Sequence, residues 1–147
     1  MSRFHQGKYK LRNPQKYKGD VSNCIYRSSW EYKFYVYCDV NKNILEFSSE
    51  EVVIPYRSPI DGKYHRYFVD FYIKVKQFDN TIKEYLIEIK PKSQTQKVEY
   101  SSRKNRKAYL NEMKTFAVNC AKWDAAKEFC RKKNWEFKII TEEELNV

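Results

Sequence analysis

Between residues 50 and 90 three strand-like runs are separated by only two tight turn signals, and this spacing limits the fold more than any other feature. The first run is EEVVIP, about residues 50–55. Asp61-Gly62 then supplies a hairpin dipeptide, and the return run YHRYFVDFYIKVK covers about 64–76. Asp79-Asn80 marks a second turn ahead of a third run at about 83–90. Strands joined by connections this short pair antiparallel with their chain neighbours, so a three-stranded meander is expected.

Helical patterns flank that meander. Ser28-Ser29-Trp30-Glu31 fits a capping box with Glu31 at the third helical position. Trp30, Phe34, Tyr37 and Cys38 follow at helical spacing, should face the core, and stop at Asn41-Lys42-Asn43. Residues 101–134 carry Leu110, Met113, Phe116, Ala117, Cys120, Trp123, Ala126 and Phe129 at the same period, with Thr115–Asn119 as a candidate break and Asn119 as the cap of a second helix. WEFKIIT at 135–141 reads as a last strand before an acidic tail. Helix, three strands, helices and a strand make an α+β protein, an α/β sandwich with a mixed central sheet.

The 147 residues suit one domain with a real core. Residues 1–20 read as a flexible basic arm, with Lys8, Lys10, Arg12, Lys16 and Lys18 alternating with Tyr9 and Tyr17, and 21–147 as the body. Such an arm is either a frayed terminus or a segment that follows a phosphate backbone. No apolar run is long enough to cross a bilayer, so a soluble protein without a signal peptide is expected. Cys24, Cys38, Cys120 and Cys130 have neither disulfide nor zinc spacing and read as reduced small residues. With only His5 and His65, any metal would be held by carboxylates, which favours a hard ion such as magnesium or manganese. The net charge of +10 points to a polyanion, with nucleic acid first.

Asp70 is the anomaly. It sits in Tyr67-Phe68-Val69-Asp70-Phe71-Tyr72-Ile73, apolar on both faces. An unpaired buried carboxylate costs several kcal/mol, so a salt bridge, a donor cluster or a metal ion must compensate. Farther on, EYLIEIKPK puts Glu88 and Lys90 on the strand face of Leu86, with Tyr85, Ile87 and Ile89 on the other. A solvated face with a weak ion pair explains Glu88 and Lys90 locally. In a meander, however, the Asp70 strand pairs with the Glu88 strand, and the turn near 78–81 sets the two carboxylates at similar heights. Glu31, at the head of the first helix, can approach the same strand ends. Three carboxylates beside an ammonium suit metal-assisted phosphodiester hydrolysis.

Asp70, then Glu88-Ile89-Lys90, resembles the D…E-x-K core of the PD-(D/E)XK nuclease superfamily, whose name has proline where Val69 stands. Tyr26-Arg27-Ser28-Ser29-Trp30-Glu31 resembles the segment that donates a further acid in TnsA-like members, and Asn119, Lys122-Trp123 and Ile140-Thr141-Glu142 match the family's ending. Over most of its length, basic arm included, the chain is similar to the small head-completion nucleases of contractile-tailed phages. The resemblance implies a restriction-endonuclease-like core and a Mg2+ site, with Mn2+ as substitute, formed by Asp70, Glu88 and the Ile89 carbonyl. It implies that Glu31 completes the site, although the capping box is a rival use of that side chain, and that Lys90 acts on the nucleophile or the phosphate. DNA is the implied substrate, phage portal or head-completion proteins are implied partners, and the host cytoplasm or the virion is the setting. Arg27, Lys92 and Lys122 are candidates for phosphates near the site, and Arg103, Lys104, Arg106 and Lys107 for backbone farther away; a solvated face explains each singly. A non-catalytic DNA-binding assembly protein and a transposon-end nuclease stay open as alternatives.

Overall fold

The computed structural model describes residues 6–146. Its central sheet has the order β3 (Ile44–Ser49), β6 (Phe71–Lys76), β7 (Ile82–Ile89), β8 (Glu136–Ile140). β6 runs antiparallel to both neighbours and β8 parallel to β7, which makes the sheet mixed as expected. Alternation along the strands divides the core. Phe71, Ile73, Ile87 and Ile89 meet Phe34, Tyr35 and Cys38 of α1 (Ser29–Val40) and Leu145 of the short α3 (Glu142–Leu145) on one face. Tyr72 and Leu86 meet Trp123, Ala126 and Cys130 of α2 (Arg106–Lys133) on the other. The result is an α/β sandwich.

The meander is cut in two. The run read as one strand over 64–76 is β5 (Tyr64–Phe68) followed by β6, and the run at 50–55 is the start of β4 (Val53–Arg57), with β3 unforeseen before it. β4 and β5 form a separate two-stranded ribbon closed by a turn in which Gly62 takes φ +69°. Both connections to the sheet bend at one level, where Glu50 has φ 55°, its N–H donates to the Asp70 carbonyl, and the Val69 N–H donates to the Val52 carbonyl.

Other expectations shift for physical reasons. α2 starts at Arg106, capped by Asn105, and does not break at Thr115–Asn119, a stretch without Pro or Gly, where Asn119 is buried in mid-helix. Leu110 and Met113 are exposed, and the packing of α2 against the core begins only at Phe116. On α1, Tyr35 is fully buried, while Tyr37 faces solvent and Trp30 packs at the core margin. The four cysteines are free, and three of them are buried.

Residues 1–5 of the expected arm, with His5, lie outside the described residues. From residue 6 the segment is strapped to the body rather than loose. β1 (Gly7–Lys8) pairs with β2 (Ile25–Tyr26), Tyr9 and Tyr17 are buried, and Tyr9 stacks on Tyr35. Lys16 Nζ donates to the carbonyls of Cys38, Asp39 and Asn41 at 2.6, 3.1 and 2.8 Å, neutralising the C-terminus of α1.

Candidate active site

The end of β7 outruns β6, and that mismatch makes the site. The last ladder pair between them is Phe71 with Ile87, after which β6 turns away at Asp70 while β7 continues to Ile89. The Ile89 N–H therefore has no β6 partner, and Asp70 Oδ2 accepts it at 2.8 Å. Glu88, on the opposite face from Ile89, is 4% exposed, and the hydroxyl of Tyr67 on β5 donates to its Oε1 at 2.5 Å.

These bonds do not offset the burial. Desolvation pushes the Asp70 pKa well above the carboxylate range, the Glu88 charge adds to it, and the Ile89 amide opposes only in part. Desolvation also raises Glu88, against the Tyr67 hydroxyl, the Lys90 ammonium, a hydrogen bond shared with Asp70, and Lys122. Among the described residues no Lys, Arg or His comes within ion-pair distance of either carboxylate. Lys90 holds its strand position through its N–H, which donates to the Ile140 carbonyl, and acts on Glu88 through its charge.

Glu31 stands at the head of α1 with its capping box only half closed. Ser28 Oγ accepts the Glu31 N–H at 3.1 Å, but the Glu31 carboxylate accepts from the Arg27 N–H at 3.3 Å and from the Ser28 hydroxyl at 3.5 Å instead of from the Ser28 N–H. Burial raises its pKa, and its charge in turn raises that of Asp70. Among the described residues no three His, Cys, Asp or Glu side chains are gathered tightly enough to form a closed metal cage. Two carboxylates at a strand end, a backbone carbonyl beside them and a third acid within electrostatic reach make an open, all-oxygen donor set. That set fits a hard divalent ion which keeps water or substrate ligands.

Two residues escaped the sequence reading. Tyr67 seemed to lie on the same straight strand as Asp70, and only the bend at 69–70 carries its hydroxyl to Glu88. Glu50 pairs with Arg27 and raises the pKa of Glu31, which extends the acid cluster by one residue, and its signal is a left-handed backbone that the sequence does not reveal.

The basic candidates divide. Lys122 stands 5.7 Å from the ring centres of both Tyr56 and Tyr67, close enough to Glu88 to lower its pKa. Arg27 is tied to Glu50, Lys92 to Glu143 at 2.8 Å, and Lys104 to Glu112 at 2.6 Å, so their charges are partly spent within the chain. Arg103, Arg106 and Lys107 are exposed before and at the start of α2, in no ion pair among the described residues. His65 is exposed beside Asp61, and Trp123 belongs to the core.

Residues 41–142 match the family model described as "TnsA-like endonuclease N terminal". The chain is 39% identical over 146 residues to the "Head completion nuclease" of Enterobacteria phage T4, covering 97% of this chain and 95% of that protein. No solved structure matches.

Proposed function

We infer the function from one premise, that this chain belongs to the TnsA-like endonuclease family. It is an endonuclease that hydrolyses phosphodiester bonds in DNA, and its setting is phage head completion, in the infected cell or the particle. One observation supports placing the chemistry at the end of β7: Asp70 and Glu88 are desolvated, adjacent and without a cationic partner among the described residues. Such a pair is uncomfortable alone and comfortable around a divalent cation.

Asp70, Glu88 and the Ile89 carbonyl would hold that ion, Mg2+ in our reading with Mn2+ as substitute, and Glu31 would complete the site. When bound, the ion supplies Lewis-acid polarisation of the scissile phosphate and a lower pKa for the attacking water. The protein's own groups do the rest. The Ile89 N–H fixes Asp70 in orientation, and the Tyr67 hydroxyl fixes Glu88. Lys90, on the Glu88 face of the strand, offers a proton or positive charge to the oxygens of the pentacovalent transition state. Water gives up a proton to solvent and adds to phosphorus, the bridging P–O bond breaks, and its electrons leave with the ester oxygen, which takes up a proton. Portal or head-completion proteins as partners belong to the same reading.

Supercoiled plasmid incubated with Mg2+ or Mn2+ tests it. Asp70→Ala and Glu88→Ala should each cut about 10²- to 10³-fold more slowly, in line with losing a main transition-state stabiliser. Equal cutting by wild type and both variants would move the chemistry elsewhere.

A further inference from the structure

The β4–β5 ribbon stands outside the central sheet and has two unlike faces. Its register pairs Val53 with Phe68, Pro55 with Arg66 and Arg57 with Tyr64, and these six residues are exposed on the outer face. The inner residues Ile54, Tyr56 and Tyr67 are buried against Trp123 and Ala126 of α2. A free two-stranded ribbon is barely stable in water, so this one is held in place by its inner face. Among the described residues no other element covers its outer face: Tyr64 is 73% exposed and Phe68 44%.

The outer chemistry is cationic and aromatic. Arg66 lies over the Phe68 ring at 5.5 Å, and Arg57 Nε donates to the Gly62 carbonyl at 2.9 Å, which presents the rest of its guanidinium outward. Neither arginine is in an ion pair among the described residues. With Lys63 in the turn, three cations face one acid, Asp61, which is already bound to His65. We propose that this outer face docks duplex DNA, the ribbon entering a groove and setting the adjacent backbone at Asp70 and Glu88.

The dimensions agree, since strands of five residues span roughly 17 Å and a two-stranded ribbon fits the major groove, about 12 Å wide. Continuity agrees as well. β5 ends at Phe68, two residues before Asp70, and Tyr67 touches Glu88 from the inner side. The outer face is thereby joined to Asp70 through the single residue Val69, whose N–H is fixed on the Val52 carbonyl, so a duplex lying along the ribbon runs on toward the strand end that carries the carboxylates. An apolar protein partner would leave both guanidinium groups buried without acceptors, whereas phosphates and base edges supply them.

The proposal rests on the endonuclease reading, and its test separates the two. Binding to a short fluorescent duplex is measured in EDTA over a salt series, with cutting measured separately in Mg2+. Arg57→Ala/Arg66→Ala should bind roughly tenfold or more weakly, with a log affinity–log salt slope shallower by about two. Its melting temperature should move little, because both side chains are exposed and their contacts lie at the surface, and Arg57→Lys/Arg66→Lys should regain the slope. Lys42→Ala/Lys76→Ala, at the opposite end of the sheet, is the control for net charge. If the arginine variant loses no more affinity than that control, the ribbon is not the docking surface, and an outer face serving a protein partner would replace it. A dead Asp70→Ala beside a fully active arginine variant would overturn the ribbon alone. A wild type that binds through the ribbon but never cuts would overturn the nuclease reading alone.

Discussion

Two places in this molecule bury acidic side chains, and they treat them in opposite ways. At the C-terminal end of α1, Asp39 is 1% exposed. Its carboxylate accepts from the Tyr9 hydroxyl at 2.8 Å and from the N–H groups of Arg12 and Asn13 at 2.8 and 2.9 Å. Desolvation pushes its pKa up, but these bonds together win and hold it below the usual range. At the end of β7, Asp70 has one backbone donor and Glu88 one hydroxyl, burial wins, and both pKa values rise. Burial by itself therefore does not mark a functional acid; the shortage of donors does. Asp39 is complete within the chain and ties residues 6–20 to the body, while Asp70 and Glu88 are left short of donors, which is what our proposed ion site calls for.

The contrast breaks most sharply in stability. Asp39→Ala strands two N–H groups and a hydroxyl, and should cost about 3 kcal/mol, read as a lower urea midpoint with unchanged slope. Asp70→Asn in EDTA should do the reverse, stabilising by about 1 kcal/mol, or about 3 °C in melting temperature, because it removes a crowded charge and keeps an oxygen for the Ile89 N–H. Mg2+ should then raise the melting temperature of the wild type but not of Asp70→Asn. If the two substitutions destabilised alike in EDTA, the acids would be equivalent and the distinction empty.

The pH dependences carry opposite signs. Asp39 has a lowered pKa in the folded state, so its stabilisation is present above the unfolded value near 3.9 and is lost as pH falls through the folded one. Asp70 and Glu88 have raised values, so the fold is favoured with them protonated and loses stability as pH climbs from about 4 through their folded values. Urea titrations in EDTA should show Asp39→Asn flattening the acid limb and Asp70→Asn flattening the alkaline one. A swap of those limbs, or no change in either, would contradict the assignment.

The sequence revealed one of these regions and hid the other, for a reason of distance. The Asp70 site was legible because the Asp79-Asn80 turn fixes the β6–β7 register and strand parity fixes the face of Glu88. The Asp39 hub was not, since its donors come from Tyr9, Arg12 and Asn13, 26 to 30 residues away, and nothing in Tyr37-Cys38-Asp39-Val40 announces them. The same segment looked like a loose arm because it is basic and aperiodic, yet two buried tyrosines and a lysine bound to three carbonyls suffice to pin it. The bend at Val69-Asp70 was hidden too. The apolar residues on both sides of Asp70 read as one continuous strand, and the hydrogen bonds of the bend run to residues 50 and 52.

Tyr67 gives the smallest and most discriminating change. Its hydroxyl is the first opponent of the burial that raises Glu88, so Tyr67→Phe takes from Glu88 the hydroxyl donor that makes it resemble Asp39. Without that donor the burial is opposed less, so the Glu88 pKa should rise further. The acid limb of the cutting rate should move to higher pH, and at neutral pH the rate should fall only a few-fold. The ring is retained, so the ribbon keeps its packing and the melting temperature should fall only by what one hydrogen bond contributes. A purely structural tyrosine would lower the melting temperature and leave the acid limb where it was, because only a donor to Glu88 alters the proton affinity of that carboxylate.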